Sequence, residues 1–170
     1  MSESAAPAPV SDLTQALFAL IGEQPFFKGL SEQQLRLLAA SALEMKFAAG
    51  QKIFEAGSPA NRFYLILEGK VVLESELGEP GVMLPVQTLG PGDNLGWSWL
   101  FPPYLIHLGA HALEPTRVIF FYGTRLREQC EQDHEFGYEL MKRVAEVQTL
   151  CLSATQQRLV ECAAQNKPQP

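Results

Sequence analysis

The chain has 170 residues, of which 46% are hydrophobic and 19% charged, so we expect a folded domain with a sizeable core and exclude a disordered protein. A formal net charge of -6 without any basic cluster argues against nucleic-acid binding. No apolar run reaches the roughly 18 residues that a membrane span needs. The three cysteines are widely spaced and form no CxxC pair, which disfavours structural zinc and favours a reducing, cytoplasmic location.

The N-terminal part predicts a tail followed by two helices. Residues 1–10 are rich in alanine, proline and serine and predict a disordered tail. Leucine and isoleucine at helical spacing predict a helix over residues 11–21, which a following glycine and proline end. A second, short helix is predicted to begin at Ser31, because Ser31 and Gln34 have the spacing of a capping box.

Residues 43–122 alternate short apolar runs with turns rich in glycine and proline, a pattern typical of an antiparallel sandwich or barrel. Glu68-Gly69-Lys70 predicts a hairpin turn, since glycine accepts a positive φ at little cost. We interpret Arg62 as a solvated turn residue and Arg117 as a surface ion-pair residue. The candidate strands are 43–47, 52–55, 63–67, 71–74, 83–89, 105–112 and 117–122.

A helical period returns after residue 125 and predicts a long helix over about residues 134–163, followed by a frayed tail at 165–170. One apolar stripe runs along about five turns of this helix. The stripe either packs on the β-domain of its own chain or pairs with the same helix of a second copy, and we expect a homodimer through it. Its residues are Phe136, Leu140, Val144, Val147, Cys151 and Ala154.

Glycines at fixed offsets carry a resemblance to a known family. The segments FFKGLS at 26–31, GQKIFEAG at 50–57, FYLILEGKV at 63–71 and LGPGDNLG at 89–96 resemble the cyclic-nucleotide-binding domain family, which includes the catabolite activator protein. The resemblance covers about residues 26–160. It implies a mainly β fold with flanking helices: an eight-stranded, jelly-roll-like β-barrel (a β-roll) at about 43–122, N-terminal helices and a long C-terminal helix, all within one domain at 11–164.

The resemblance also implies where a ligand would bind. In the family, a glutamate that follows a glycine accepts a hydrogen bond from the ribose, and an arginine neutralises the cyclic phosphate. Gly96 matches the glycine, but Trp97 stands at the glutamate position and His107 at the arginine position. Loss of both charged groups predicts weakened cAMP binding. The candidate ligand-binding residues are Leu95, Gly96, Trp97, Ser98, Trp99, Tyr104, His107 and Leu108.

Four aromatic residues of this segment admit two interpretations, since aromatic rings both line ligand sites and fill cores. We expect Trp99 and Phe101 to pack in the core. We expect Trp97 and Tyr104 to face the ligand, because the family's ligand occupies that place.

His107 and His111 are four residues apart and are predicted to share one face of a strand. A cupin-like metal site would need at least a third converging ligand, so we expect no metal. We find no nucleophile with a nearby base and no paired carboxylates, so we expect no enzyme activity.

The function we expect is therefore that of a non-enzymatic sensor with a remodelled ligand loop, without the helix-turn-helix module that follows the long helix in the family's transcription regulators. Its signal would pass to a separate output protein or through the dimer. Two alternatives stay open. The first is a ligand-free dimeric scaffold in which Trp97 fills the ligand site, and the second is a cupin-like metalloenzyme.

Overall fold

The computed structural model describes residues 12–78 and 80–165, so the predicted tail at 1–10 and residues 166–170 lie outside the described part. The chain divides into two compact units between Gln129 and Cys130. Within the described ranges, none of the helices combines the length and the apolar character that crossing a membrane requires.

Two helices precede the strands, as predicted. Helix α1 spans Asp12–Glu23, a short 3₁₀ turn spans Pro25–Phe27, and α2 spans Glu32–Ser41. The capping box at the start of α2 is confirmed: the Gln34 N–H donates to Ser31 Oγ at 3.2 Å, and the Ser31 N–H donates to Gln34 Oε1 at 3.0 Å.

Eight strands form two antiparallel four-stranded sheets, which confirms the predicted β-roll with flanking helices. One sheet has the order β1-β8-β3-β6 and the other β2-β7-β4-β5. The strands are β1 (Ala42–Phe47), β2 (Lys52–Phe54), β3 (Arg62–Glu68), β4 (Val71–Glu76), β5 (Met83–Leu89), β6 (Asn94–Leu95), β7 (Gly109–Ala112) and β8 (Thr116–Tyr122).

The predicted hairpin at Glu68-Gly69-Lys70 is wrong, although the turn itself is present. Gly69 has φ 91°, but β3 and β4 belong to different sheets, so this turn carries the chain from one sheet to the other. A Cβ on Gly69 would lie 2.5 Å from the Pro115 carbonyl oxygen, so glycine is needed for close approach as well as for conformation.

The predicted strand at 105–112 is also wrong in its first half. Strand β7 begins at Gly109, and Leu105 forms only an isolated bridge with Pro59. His107 therefore lies outside the strand and does not share a strand face with His111. The two-residue strand β6 has no counterpart among the candidate strands, because two residues are too few to show an alternating pattern.

The two faces of the β1-β8-β3-β6 sheet carry different clusters. The face towards the other sheet forms the core of the roll, with Tyr64, Ile66, Leu95, Val118 and Phe120 packed against Val71, Leu89, Ala110 and Ala112. The opposite face carries what we call the outer aromatic cluster: Phe26, Phe27, Phe63, Trp97, Trp99 and Phe121.

Helix α3 spans Gly123–Gln132 and α4 spans His134–Gln165, so the predicted long helix is confirmed and extends two residues past its expected end. The Asp133 side chain accepts a hydrogen bond from the Phe136 N–H at 2.9 Å and caps the start of α4.

Candidate functional site

The segment after β6 turns sharply at Gly96 and continues as a short 3₁₀ turn over Trp97–Leu100; we call residues 96–104 the loop. Gly96 has φ 87° and ψ 30°, and a Cβ there would lie 2.7 Å from the Arg62 carbonyl oxygen. Because β3 pairs with β6 through Tyr64 and Leu95, the loop starts directly beside the first residue of β3. Only glycine fits this approach without strain.

The Trp97 ring lies in the outer aromatic cluster. Its centroid is 4.5 Å from that of Phe63 and 5.2 Å from that of Phe26. Phe63 and Tyr64 are consecutive residues of β3, so they point to opposite faces, and Tyr64 is the one in the core of the roll. Trp97 thus packs on the outside of the sheet, and its packing does not support the expected ligand-facing position.

Trp99 is completely buried, and its centroid lies 6.2 Å from that of Phe63. A Cβ on Gly123 would come within 2.6 Å of Trp99 Cβ, so the start of α3 packs tightly on this side chain. Phe101 is 49% exposed, so the expectation that it packs in the core is wrong. The residue lies in the turn before the two prolines.

Tyr104 ends the loop in a left-handed conformation, with φ 58°, and is partly exposed. The Arg127 guanidinium of α3 lies 4.5 Å from the Tyr104 ring centroid and donates a hydrogen bond to the Trp99 carbonyl. Arg127 therefore ties the middle and the end of the loop to α3. Sequence analysis missed it, because no local pattern relates a helical arginine to a loop some 25 residues earlier.

The other candidate residues surround the loop with different exposures. Leu95 is buried, Ser98 and Leu108 are half-buried, and His107 is exposed. Leu95, Ser98 and Trp99 thus flank the turn at Gly96 in the chain, whereas His107 and Leu108 lie beyond the loop.

A second group of residues faces the inside of the roll next to the loop. We call it the roll mouth: Arg62, Tyr64, Phe120 and Tyr122. The Arg62 guanidinium carbon lies 4.8 Å from the Phe120 ring centroid and 5.9 Å from that of Tyr122. Arg62 is the first residue of β3 and is half-buried against these aromatic rings. Its interpretation as a solvated turn residue is therefore wrong.

The Tyr64 hydroxyl shows the electrostatic character of the roll mouth. Burial raises the pKa of Tyr64 above its ordinary value, while the neighbouring Arg62 guanidinium acts in the opposite direction. Tyr64 is 4% exposed, whereas Tyr122 is 40% exposed, so the group extends from the core of the roll to its surface.

His111 and Arg117, the other residues singled out in the sequence, both lie beside acidic side chains. His111 Nδ1 lies 3.1 Å from Glu74 Oε1, and Arg117 pairs with Glu44 and Glu68, as its interpretation as a surface ion-pair residue requires. Among the residues that the structure describes, no three His, Cys, Asp or Glu side chains are grouped as a metal site.

The predicted stripe of α4 divides into a buried and an exposed half. Phe136, Leu140 and Val144 are buried, Val147 and Cys151 are half-buried, and Ala154 is exposed. Four large apolar side chains beyond residue 149 are 58–71% exposed: Leu150, Leu152, Leu159 and Val160.

Comparisons with known proteins agree with this architecture. Residues 44–133, just over half of the chain, match the cyclic nucleotide-binding domain family. A structure assigned as a cyclic nucleotide-binding protein from Geobacter metallireducens GS-15 superposes with a TM-score of 0.70 at 31% identity, covering 85% of this chain and 99% of that chain.

Among curated proteins, the cAMP-dependent protein kinase type I-alpha regulatory subunit of Mesocricetus auratus is 39% identical over 62 residues, which are 36% of this chain and 37% of that protein. The CRP-like cAMP-activated global transcriptional regulator of Mycobacterium tuberculosis is 22% identical over 126 residues, covering 74% of this chain and 56% of that protein. The chain spans between a fifth and just over half of the length of the curated relatives it matches.

The eight-stranded roll, the glycine-started loop after β6 and the family match over residues 44–133 lead to one assignment. The chain belongs to the cyclic nucleotide-binding domain family, whose members are usually regulatory and non-enzymatic.

Proposed function

We propose that this protein is a regulatory sensor whose ligand is a small molecule other than cAMP, or cAMP bound with reduced affinity. The main support for the proposal is that the glycine turn at Gly96 is present, while the two positions at which the family carries charged residues hold Trp97 and His107. Gly96 keeps its left-handed conformation, yet Trp97 packs on the outside of the sheet and His107 is exposed. The chain therefore carries neither a carboxylate at residue 97 nor a fixed cation at residue 107.

The position of the Trp97 ring also bears on the scaffold alternative. That alternative has Trp97 filling the ligand site, but the ring contacts Phe26 and Phe63 on the outer face. Trp97 therefore packs on the outer face and not inside the roll, which favours a sensor over a scaffold whose ligand site Trp97 fills.

Arg127 provides a route by which ligand binding would reach the start of α3. A ligand that moves the loop changes the contacts of Arg127 with the Trp99 carbonyl and the Tyr104 ring, and with them the start of α3. The ligand must prefer one of the two arrangements for this coupling to transmit a signal.

The output side of the proposal is a homodimer through α4 or a separate protein that binds it. The exposed leucines and valine beyond residue 149 give α4 an apolar surface that a second copy of the helix would cover. Cys130, Cys151 and Cys162 are free thiols, consistent with a reducing, cytoplasmic location. Sedimentation of the wild type and of Leu159→Asp measures the dimer, which the variant should weaken.

The sensor is tested by thermal unfolding of the full chain with cAMP, with cGMP and then with a panel of metabolites. A ligand present at 100 times its Kd adds about 2.7 kcal/mol to the stability of the folded state. Stabilisation by a metabolite that exceeds the effect of cAMP supports the proposal. Tight binding of cAMP contradicts the proposed ligand choice. If no compound raises the unfolding temperature, the result favours the ligand-free scaffold.

A further inference from the structure

We propose that Arg62 is an anion-binding residue, which holds the carboxylate or phosphate of a small ligand at the roll mouth. This inference rests on the proposed function, since it names the chemical class of ligand that the sensor takes. Three features of Arg62 carry it: its fixed position, its lack of an ion pair with any acidic residue that the structure describes, and its place beside the loop.

The guanidinium of Arg62 is held in position by aromatic rings. Arg62 pairs with Tyr122 across the β3–β8 ladder, and Tyr64 pairs with Phe120 one step further in. The guanidinium carbon is 4.8 Å from the Phe120 ring and 5.9 Å from the Tyr122 ring. Stacking on rings fixes the planar donor group, so a ligand oxyanion meets donors that are already oriented.

The positive charge of Arg62 is not balanced within the described chain. Arg117 is paired with Glu44 and Glu68, and Arg143 is paired with Glu139. In the ranges 12–78 and 80–165, Arg62 forms no ion pair with an aspartate or glutamate, although the chain carries 19 acidic residues. A half-buried cation without a carboxylate partner gains more from a bound anion than an exposed one does.

Arg62 also lies where a ligand of the loop would reach it. Its carbonyl oxygen is the atom that a Cβ on Gly96 would meet at 2.7 Å, so its backbone borders the start of the loop. Its side chain points to the same face as Tyr64, into the roll. An anion on Arg62 would therefore lie at the roll mouth, next to the start of the loop.

The neighbours of Arg62 indicate what else the ligand carries. Phe120 and Tyr122 lie 5.5 Å apart edge to face, and Tyr122 is 40% exposed. An apolar or aromatic body next to the oxyanion would cover the Tyr122 ring, since Phe120 is only 4% exposed. The ligand class is thus a small molecule with one oxyanion and a flat or apolar body.

The first test observes Arg62 in the unmodified full chain. The arginine Nε–Hε signals are recorded by NMR during titration with inorganic phosphate, benzoate, AMP and cAMP, with adenosine as the neutral probe. The Arg62 signal is assigned from its loss in Arg62→Lys. We expect at least one anionic probe to shift the Arg62 signal, and the signals of Arg36 and Arg117 to stay in place.

The second test compares two variants that each remove one positive charge. Arg62→Gln should raise the dissociation constant of the effective anionic probe about 10- to 100-fold, because a charge-assisted hydrogen bond is lost. Arg125→Gln, at an exposed position of α3, should leave it unchanged. Arg62→Lys keeps the charge without the planar fork and should lose about tenfold, which keeps the test valid if Arg62→Gln does not fold.

Two results overturn the inference, and they separate it from the proposed function. If an anionic probe binds Arg62→Gln and Arg125→Gln with equal affinity, the sensor stands and Arg62 is not its anion-binding residue. If no anionic probe shifts the Arg62 signal, the inference fails as well, and binding of adenosine or another neutral metabolite then decides the sensor separately.

Discussion

Strand β3 presents different chemistry on its two faces at the point where the loop begins. On the outer face, Phe63 packs with Trp97 and Trp99 in a cluster of rings without a charge. On the inner face, Arg62 places a cation over Phe120 next to a buried tyrosine. Burial of rings stabilises a fold, whereas a half-buried charge without a counter-ion costs stability. The outer face thus packs the loop against the sheet, whereas the inner face carries the cation that we propose as the anion-binding residue.

The largest expected effect follows from removing a ring of the outer face. Trp99→Ala should lower the free energy of unfolding by about 3–5 kcal/mol, because a fully buried indole leaves a cavity. Urea unfolding measures this. Phe101→Ala, at a residue that is 49% exposed in the same segment, should change stability by less than about 1 kcal/mol. Equal losses in the two variants would show that the outer cluster does not anchor the loop.

A second comparison isolates the contact between the loop and β3. Gly96→Ala and Gly92→Ala both place a side chain at nearly the same positive φ, 87° and 88°, but only at Gly96 does the new Cβ meet the Arg62 carbonyl. Left-handed strain alone costs about 1–2 kcal/mol in each variant. We expect Gly96→Ala to lose about 1 kcal/mol or more beyond that in urea unfolding, from the clash. Identical losses in the two variants would mean that the protein in solution accommodates a Cβ at residue 96 without a clash against the Arg62 carbonyl.

A substitution can add a positive charge at residue 107, the position at which the family carries its arginine. His107→Arg restores a fixed cation where the family carries one, and should tighten cAMP binding about tenfold, as a new charge-assisted contact does. Titration calorimetry measures the change. His134→Arg makes the same substitution at an exposed residue in the first turn of α4 and should have no effect on binding. Unchanged affinity in His107→Arg would show that residue 107 does not contact a bound nucleotide.

The sequence predicts the elements of the fold better than it predicts which side chains lie on each face of β3, for physical reasons. Glycine turns, the Ser31–Gln34 capping box and the period of α4 are local signals, and the structure confirms the elements they predict. The hairpin at Gly69 was wrong because which sheet a strand joins depends on partners distant in the chain, such as β8 for β3.

The roll mouth could not be predicted from local patterns. Arg62 follows an exposed asparagine and looks like a turn residue, and only the register with Tyr122 places its side chain over rings. Trp97 occupies the position of a ligand-binding residue in the family, and only its contact with Phe26, some seventy residues earlier, shows that it packs outward. Alternation along β3 does place residues 62 and 64 on one face, but it does not tell which face is inside.

The smallest expected effect concerns pH and tests whether Arg62 and Tyr64 act together. The folded state raises the pKa of Tyr64, so above the ordinary tyrosine value of about 10 the unfolded chain loses this proton first. The contribution of Tyr64 to stability is therefore complete below that pH and decreases as the pH rises towards the pKa of the folded state. Tyr64→Phe should remove this decrease, and Tyr138→Phe, at a tyrosine that is 67% exposed, should retain it.

The same titration reports on the guanidinium. Because Arg62 acts against the effect of burial on Tyr64, Arg62→Gln should move the tyrosinate absorbance of this residue to a still higher pH. Such a shift would show that the positive charge of Arg62 lowers the pKa of Tyr64 inside the roll, where a ligand anion would bind. A titration identical to the wild type would place the guanidinium in solvent, and the two faces of β3 would then differ in packing alone.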